Sequence, residues 1–194
     1  MSKITEEEIQ KILPVKGPSF KEVKNYLQKY NNEYIIIKCG GSVLVDQDLF
    51  NNFINDITIL NKLGFIPIII HGGGKRISVK LNEAGIKSNF INGLRVTDEK
   101  SINIVEEVLN TFNKEITNAL KNNGCDSQGI TNKLNNILIV EQENYKLGYV
   151  GTPKEINQST IELIVKEKKV PVIAPLGLDK KNKVFNINAD TAAG

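Results

Sequence analysis

Residues 34–42 read YIIIKCGGS, and residues 66–75 read IPIIIHGGGK. In both stretches a short apolar run rich in isoleucine is followed directly by a cluster of glycines. Such a run is typical of a buried strand, and glycines after a strand let the backbone approach a ligand closely. Each stretch therefore predicts a buried strand that ends in a turn leading into a helix.

The rest of the chain alternates between amphipathic helices and apolar strands. Helical spacing of apolar residues predicts helices at residues 49–60, 75–84, 102–120 and 159–167. Short apolar runs predict further strands at residues 137–140 and 170–174. Alternation of this kind predicts an α/β fold, a three-layer αβα sandwich around a mainly parallel sheet.

Residues 1–33 lack this alternation and are predicted to form a helical arm before the main domain, residues 34–194. A first short helix is expected to end at Pro14. Ser19 and Glu22 have the spacing of a capping box for a second helix, along which apolar residues recur at helical spacing.

The composition argues against several classes of protein. Hydrophobic residues make up 40% of the 194 residues, and the net charge of +3 is spread along the chain without a basic run for nucleic acid. No apolar run approaches the roughly 20 residues that a membrane span needs, and no secretory signal is recognisable. The two cysteines match no zinc spacing or disulfide framework. We therefore expect a cytoplasmic protein with no metal site, no membrane partner and no nucleic-acid partner.

Both glycine clusters lie where ligands bind in an open α/β sheet, at the carboxyl ends of the strands. The helix predicted after each cluster presents free N–H groups to an anion. Lys38 stands at the end of the first strand, where a fixed cation suits charge that builds on a phosphoryl group in transit. Either cluster alone could be a simple tight turn, but two equivalent clusters and a lysine favour an anionic site between them.

Several better-known motifs are absent. The chain contains neither the P-loop pattern nor a complete G-x-G-x-x-G, and no G-x-S-x-G elbow accompanies the sequence His71-Gly72-Gly73-Gly74. His71 is the only histidine. We expect it to be a hydrogen-bonded structural residue.

Two further segments carry polar groups toward the same edge of the sheet. Residues 92–98 read NGLRVTD, in which Arg95 could grip a carboxylate with two hydrogen bonds or could be an exposed loop arginine. Residues 186–191 read NINADT, typical of a strand end followed by a helix N-cap. Asn186 and Asp190 would then lie beside the glycine clusters.

Together with residues 113–116 (NKEI), these segments resemble the amino acid kinase family, and within it the N-acetylglutamate kinases. The similarity extends over nearly all of residues 34–194, and the stretch Gly93–Thr97 is the part that points to acetylglutamate. The resemblance implies transfer of the γ-phosphoryl group of ATP, taken with Mg²⁺, to the side-chain carboxylate of N-acetyl-L-glutamate. That reaction belongs to arginine synthesis and needs no tightly bound cofactor.

The resemblance also implies roles for individual residues in catalysis, in phosphate binding and in acetylglutamate binding. The resemblance assigns catalysis to Lys38 and Asp190 and phosphate binding to Gly40 and Gly41. It assigns acetylglutamate binding to Gly73, Gly74, Arg95 and Asn186. Lys38 is similar to the lysine that stabilises the transferred phosphoryl group, and Asp190 to the acid that organises the catalytic lysines. Arg95 is similar to the residue that holds the α-carboxylate.

Family members continue for roughly another hundred residues, as domain size leads one to expect. The chain is therefore expected to be the substrate-binding portion, ending before the nucleotide lobe and its second lysine. The segment 130–136 lacks the glycines that are usual in its loop. The resemblance implies a homodimer or hexamer, with residues 19–30 interlacing in the hexamer, and arginine feedback in the full-length form. A kinase for aspartate, glutamate or aminoadipate, and a non-catalytic fragment that binds an acyl amino acid, stay open as alternatives.

Overall fold

A computed structural model of the chain describes residues 5–13, 15–41 and 46–194. Its helices are α1 (Glu6–Ile12), α2 (Phe20–Lys29), α3 (Gln47–Lys62), α4 (Gly74–Glu83), α5 (Glu99–Asn122), α6 (Gln158–Lys166) and α7 (Ala189–Ala193). Its strands are β1 (Tyr34–Cys39), β2 (Ile66–His71), β3 (Phe90–Ile91), β4 (Leu94–Arg95), β5 (Ser127–Ile130), β6 (Leu138–Gln142), β7 (Gly151–Ile156), β8 (Val170–Ile173), β9 (Leu176–Leu178) and β10 (Val184–Asn186). Pro14, predicted to end the first helix, and Ser42, the last residue of the first quoted stretch, lie outside the described residues.

The main sheet has four strands in the order β1-β2-β8-β5, and every pair in it is parallel. Helices α3 and α5 cover one face, where Ile57 and Phe112 pack with Ile69 of β2. Helices α6 and α7 and a second sheet cover the other face, where Ile68 and Ile70 of β2 are buried. The predicted parallel sheet between layers of helices is confirmed. Because its strands are parallel, their carboxyl ends meet at one edge.

The second sheet was not predicted. It has the order β10-β9-β6-β7, with antiparallel pairing between β10 and β9 and between β6 and β7. Residues 137–140 were predicted to contain a strand, and β6 confirms this, but β6 belongs to the second sheet and not to the parallel one. Leu138 and Val140 are as buried there as a central parallel strand would be, so the apolar run alone does not specify the sheet.

The prediction that residues 34–37 form a buried strand is wrong about the burial. Tyr34 and Ile36 are 53% and 55% exposed, whereas Ile37 packs against the core beneath α3 and α5. Strand β1 is one of the two edge strands of the described sheet, and only one of its faces is covered. Its isoleucines therefore alternate between exposed and half-buried positions.

The two N-terminal helices form as predicted. The Ser19 hydroxyl accepts from the Glu22 N–H at 3.4 Å, and the Glu22 carboxylate accepts from the Ser19 N–H at 2.8 Å, which completes the capping box. None of the ten residues of α2, all of them described, is buried. The division into an arm and a main domain stays a prediction.

Within the described ranges, no helix has both the length and the apolar character that crossing a bilayer requires.

Candidate active site

A cleft of about 600 Å³ opens at the carboxyl edge of the parallel sheet. The structure brings together at this cleft all eight residues that the sequence indicated. They are Lys38, Gly40, Gly41, Gly73, Gly74, Arg95, Asn186 and Asp190. Four segments that are distant in sequence therefore line one cavity, while the roles of the individual residues stay predictions.

The two glycine loops lie side by side because β1 and β2 are paired in parallel with Cys39 opposite His71. The Gly72 N–H donates to the Cys39 carbonyl at 2.8 Å and joins the loops just beyond the strand ends. A Cβ at Gly73 would lie 2.6 Å from Cδ2 of Leu109, whereas a Cβ at Gly74 would meet no atom within 4 Å. Gly73 is therefore needed for the close packing of this loop on α5.

Lys38 and Asp190 form an ion pair at one end of the cleft. The Lys38 Nζ lies 2.9 Å from Oδ1 of Asp190, and the two side chains are 34% and 70% exposed. Asn188 places Asp190 in the first turn of α7 by accepting from the Asp190 N–H at 2.8 Å. Since an exposed pair of this kind contributes only about 0–1 kcal/mol, the Lys38 ammonium is free to contact an arriving anion as well.

Arg95 lines the cleft from other elements, α4 and the β3–β4 hairpin, which form its other end, and is only 7% exposed. Its guanidinium donates to the Ser88 hydroxyl at 2.6 Å, to the Gly74 carbonyl at 2.8 Å and to the Ser78 hydroxyl at 2.9 Å. Burial lowers the pKa of Arg95, but a guanidinium stays charged. These partners are neutral, and within the described part of the chain no carboxylate forms an ion pair with it. A buried charge without a counter-ion is costly, so this end of the cleft is suited to an anionic ligand.

The alternative that Arg95 is an exposed loop residue is therefore wrong. Arg95 lies in the hairpin of β3 and β4, directly opposite Phe90, whose ring centre is 4.7 Å from the guanidinium carbon. Asn92 and Gly93 form the turn with φ values of 50° and 80°, as a two-residue hairpin of the Asn-Gly type requires. The hairpin and its turn hold the arginine against α4.

Asn186 ends β10 and is tied to the strand that carries Arg95. Its side-chain amide donates to the Thr97 hydroxyl at 3.4 Å, and that hydroxyl donates to the Arg95 carbonyl at 3.1 Å. The Asn186 N–H donates to the Tyr149 carbonyl at 2.9 Å. The asparagine and the arginine therefore face the cleft from two connected elements.

His71 lies beneath the glycine loops and is fully buried. Its Nδ1–H donates to the Gly72 carbonyl at 3.1 Å, and its Nε2 accepts from the Asn113 amide at 3.2 Å. Burial lowers the pKa of His71 to about 4, so the ring is neutral at pH 7. Asn113 also donates to the Val172 carbonyl at 2.8 Å. The expectation of a hydrogen-bonded structural histidine agrees with this geometry, and Asn113 is the partner that the sequence did not indicate.

Sequence reasoning missed Lys75, Ser78, Ser88 and Phe90. Lys75, Ser78 and Phe90 line the cleft, and Ser88 holds Arg95 from behind. Ser78 could have been found, since it follows Gly74 by one helical turn on α4. Ser88 had no signal, because its contact with Arg95 depends on how the hairpin packs.

The comparisons with known proteins agree with this geometry. A model of the amino acid kinase family matches residues 33–194. The acetylglutamate kinase of Pelagibacter ubique (strain HTCC1062) is 63% identical over 194 residues, which cover 100% of this chain and 67% of that protein. The acetylglutamate kinase of Ruegeria pomeroyi is 38% identical over 170 residues, which cover 87% of this chain and 59% of that protein. The chain thus spans about two thirds of one relative's length and less of the other's.

A solved structure, that of smu.665 from Streptococcus mutans UA159, matches with a TM-score of 0.71 at 29% identity. The match covers 82% of this chain and 65% of that one. Because the relatives named above are acetylglutamate kinases, kinases for aspartate, glutamate or aminoadipate are not favoured. The family model covers most of the chain, and the chain therefore belongs to the amino acid kinase family.

Proposed function

We propose that the chain is the acetylglutamate-binding part of an enzyme that phosphorylates the side-chain carboxylate of N-acetyl-L-glutamate with ATP as the donor. The observation that carries the proposal is the buried guanidinium of Arg95. It is held by neutral groups only, in the same cleft as the exposed pair of Lys38 and Asp190. A ligand with an anion at each end fits this distribution of charge.

Arg95 binds the α-carboxylate of acetylglutamate, and Asn186 binds its acetamido group. The loop at Gly73 and Gly74 supports the ligand from below. The side-chain carboxylate of the ligand then points toward Lys38. Because Arg95 is fixed by three hydrogen bonds, little further ordering is needed when the ligand binds.

The ligand carboxylate attacks the γ-phosphorus of ATP, a new bond forms from carboxylate oxygen to phosphorus, and the bond from phosphorus to the ADP oxygen breaks. Lys38 and the N–H groups of Gly40 and Gly41 stabilise the charge on the phosphoryl oxygens. Asp190 orients the Lys38 ammonium. The carboxylate is already ionised near pH 7, so the residues of this cleft act by positioning and charge, and no general base is needed. ATP enters as its Mg²⁺ complex.

Calorimetric titration of this chain with N-acetyl-L-glutamate tests the proposal, with L-glutamate and L-aspartate as comparison ligands. The acetylated ligand should bind, and the two free amino acids should bind much more weakly because an ammonium group would face a site built for an amide. Equal binding of free glutamate would indicate one of the other kinases, and no binding by the folded chain would contradict the proposal.

Arg95→Ala is the matching variant, and Lys80→Ala is its control. Lys80 lies on the same α4 helix that Arg95 packs against, but it pairs with Glu83 on the surface at 2.7 Å. Arg95→Ala should abolish measurable binding, and Lys80→Ala should leave the affinity unchanged. If both variants bind acetylglutamate equally well, the arginine does not hold the ligand.

The assembly of the protein is part of the same proposal. Tyr26 of helix α2 and Tyr30 just after it are exposed, and their rings stack at 6.4 Å. These aromatic side chains support a role for residues 19–30 in joining subunits into a hexamer. Deletion of residues 1–30 should lower the number of subunits measured by light scattering; an unchanged number would contradict this role.

Arginine feedback belongs to the full-length form. Both cysteines are buried and unpaired, which supports the cytoplasmic location.

A further inference from the structure

Among the residues that the structure describes, four charged side chains line the cleft. They are Lys38, Lys75, Arg95 and Asp190. Lys38 is opposed by Asp190 at 2.9 Å, and Arg95 is fixed at the far end of the cleft. A phosphoryl group in transit spreads its negative charge over three oxygens. Because Asp190 offsets the charge of Lys38 and Arg95 lies elsewhere in the cleft, Lys75 is the cation left to compensate this charge at the glycine loops.

Lys38 and Lys75 both lie next to the first glycine loop. The Lys38 Nζ lies 3.6 Å from the position that a Cβ of Gly40 would occupy. The next glycine, Gly41, has the corresponding position 3.6 Å from both Cγ and the backbone nitrogen of Lys75. The stem of Lys75 therefore runs along the loop that is proposed to bind phosphate oxygens, and its ammonium is three bonds beyond Cγ on a flexible chain.

The start of α4 is unusually electropositive. Residues 74–77 read GKRI, so the first turn has two cations and no acid, and the N-cap residue, Gly73, has no side chain to accept from the free N–H groups. In contrast, α2, α3 and α5 each begin with an acid in the first turn and a side chain that caps it. Helix α6 also lacks both features, but its first turn, residues 158–161, has no cation. Cations at a helix N-terminus oppose the helix dipole. An anion bound at the glycine loops would compensate both the positive charge of these side chains and the uncapped N–H groups.

Lys75 also borders the groove between α4 and α5, where carboxylates are present. Two of these are already engaged, since Glu83 pairs with Lys80 at 2.7 Å and Glu115 pairs with Arg76 at 2.6 Å. The third carboxylate of the groove is that of Glu107, and among the residues that the structure describes neither Glu107 nor Lys75 forms an ion pair. The charge of Lys75 is therefore available to a ligand in the cleft.

We propose that Lys75 is a second phosphate-binding cation of this cleft, which together with Lys38 donates hydrogen bonds to oxygens of the transferred phosphoryl group. This inference rests on the proposed function and deepens it. Lys75 forms no bond to the phosphorus and takes no proton. Its ammonium stabilises the negative charge that builds on the phosphoryl oxygens next to Gly41 during the transfer.

The test uses a stable phosphonate analogue of N-acetyl-L-glutamyl phosphate, in which a methylene group replaces the bridging oxygen. Calorimetry gives the ratio of the affinity for this analogue to the affinity for N-acetyl-L-glutamate. The wild-type chain should prefer the analogue, and Lys75→Met should reduce the ratio about tenfold, as loss of a hydrogen bond between charged groups predicts. Lys75→Arg should restore most of it.

Lys80→Met is the matched control, since it removes a lysine from the same helix outside the cleft, and it should keep the wild-type ratio. An unchanged ratio in Lys75→Met would overturn the inference, and so would a wild-type chain with no preference for the analogue. Failure of the wild-type chain to bind acetylglutamate itself would instead contradict the proposed function, and this inference with it. Thermal melting of each variant establishes that it is folded.

Discussion

The two ends of the cleft hold their cations in opposite ways. Arg95 is buried and fixed by three hydrogen bonds to neutral groups, whereas Lys38 is partly exposed and opposed by a more exposed carboxylate, that of Asp190. The difference corresponds to what each end would bind. A carboxylate that stays in place is best bound by a fixed planar guanidinium. A phosphoryl group that is transferred is best stabilised by an ammonium group on a flexible side chain.

The end of the cleft at Arg95 should be sensitive even to an exchange that keeps its positive charge. Arg95→Lys keeps the cation but replaces five donors in a planar fork by a single ammonium. It cannot reach the Gly74 carbonyl, Ser78 and Ser88 together and still bind a ligand carboxylate. We expect the affinity for acetylglutamate to fall about 50-fold, as measured by calorimetry.

Lys80→Arg is the control for this exchange, because Lys80 pairs with Glu83 on the surface outside the cleft. It should change the affinity less than twofold. If Arg95→Lys binds as tightly as the wild-type chain, then charge alone is sufficient at this end, and the contrast between a rigid end and an adaptable end does not hold.

The glycine loop between the two ends provides the next effect. A Cβ at Gly73 would lie 2.6 Å from Leu109 and 3.4 Å from Ile77, and both of these side chains are buried. Gly73→Ala should therefore lower the free energy of unfolding by about 1–3 kcal/mol, measured by urea denaturation. Gly74→Ala should change it by less than about 0.5 kcal/mol, because no atom lies within 4 Å of the added methyl group. Equal values for the two variants would mean that the loop relaxes freely.

The elements that the sequence predicted best are those with a strong local pattern. The strand-plus-glycine stretches place Lys38, Gly40 and Gly73 at one sheet edge, since the carboxyl ends of parallel strands always meet there. The strand end and N-cap at residues 186–190 follow from local chemistry as well. Asn188 accepts from the Asp190 N–H at 2.8 Å, as an N-cap asparagine is expected to do.

The features that could not be predicted depend on contacts between distant segments. The burial of Arg95 results from the packing of the β3–β4 hairpin on α4, and nothing near residue 95 encodes Ser78 as a partner. The strands β9 and β10 have three residues each, too few to show a period. In the glycine-poor segment 130–136, Asn135 takes the left-handed conformation with φ of 57°, a place that asparagine tolerates.

His71, which is fully buried beneath the glycine loops, should make stability depend on pH. Burial is the main cause that lowers its pKa to about 4, and the charge of Arg76 adds to it, while the bond to Gly72 opposes it. The unfolded pKa is about 6.5, so the unfolded chain takes up a proton as the pH falls below that value and the folded chain does not. The free energy of unfolding should therefore decrease by about 2 kcal/mol between pH 7 and pH 5.

Urea denaturation at pH 7, 6 and 5 measures this slope. His71→Gln is the control, because the chain contains a single histidine and most carboxylates titrate below this range. The variant should lose the slope between pH 7 and pH 5 even if it is less stable overall. An identical slope in the variant would assign the pH dependence to another group.

The smallest effect is expected at the adaptable end. Asp190→Asn removes the partner of Lys38, but the pair is exposed, and such pairs contribute only about 0–1 kcal/mol to stability and less at high salt. The free energy of unfolding should therefore change by less than about 1 kcal/mol, and adding salt to about 0.5 M should shrink the difference further. A loss above about 2 kcal/mol that persists in salt would mean that this end is as rigid as the end at Arg95. A small loss, with a reduced preference for the phosphonate analogue, would fit a carboxylate that orients Lys38 without holding the fold together.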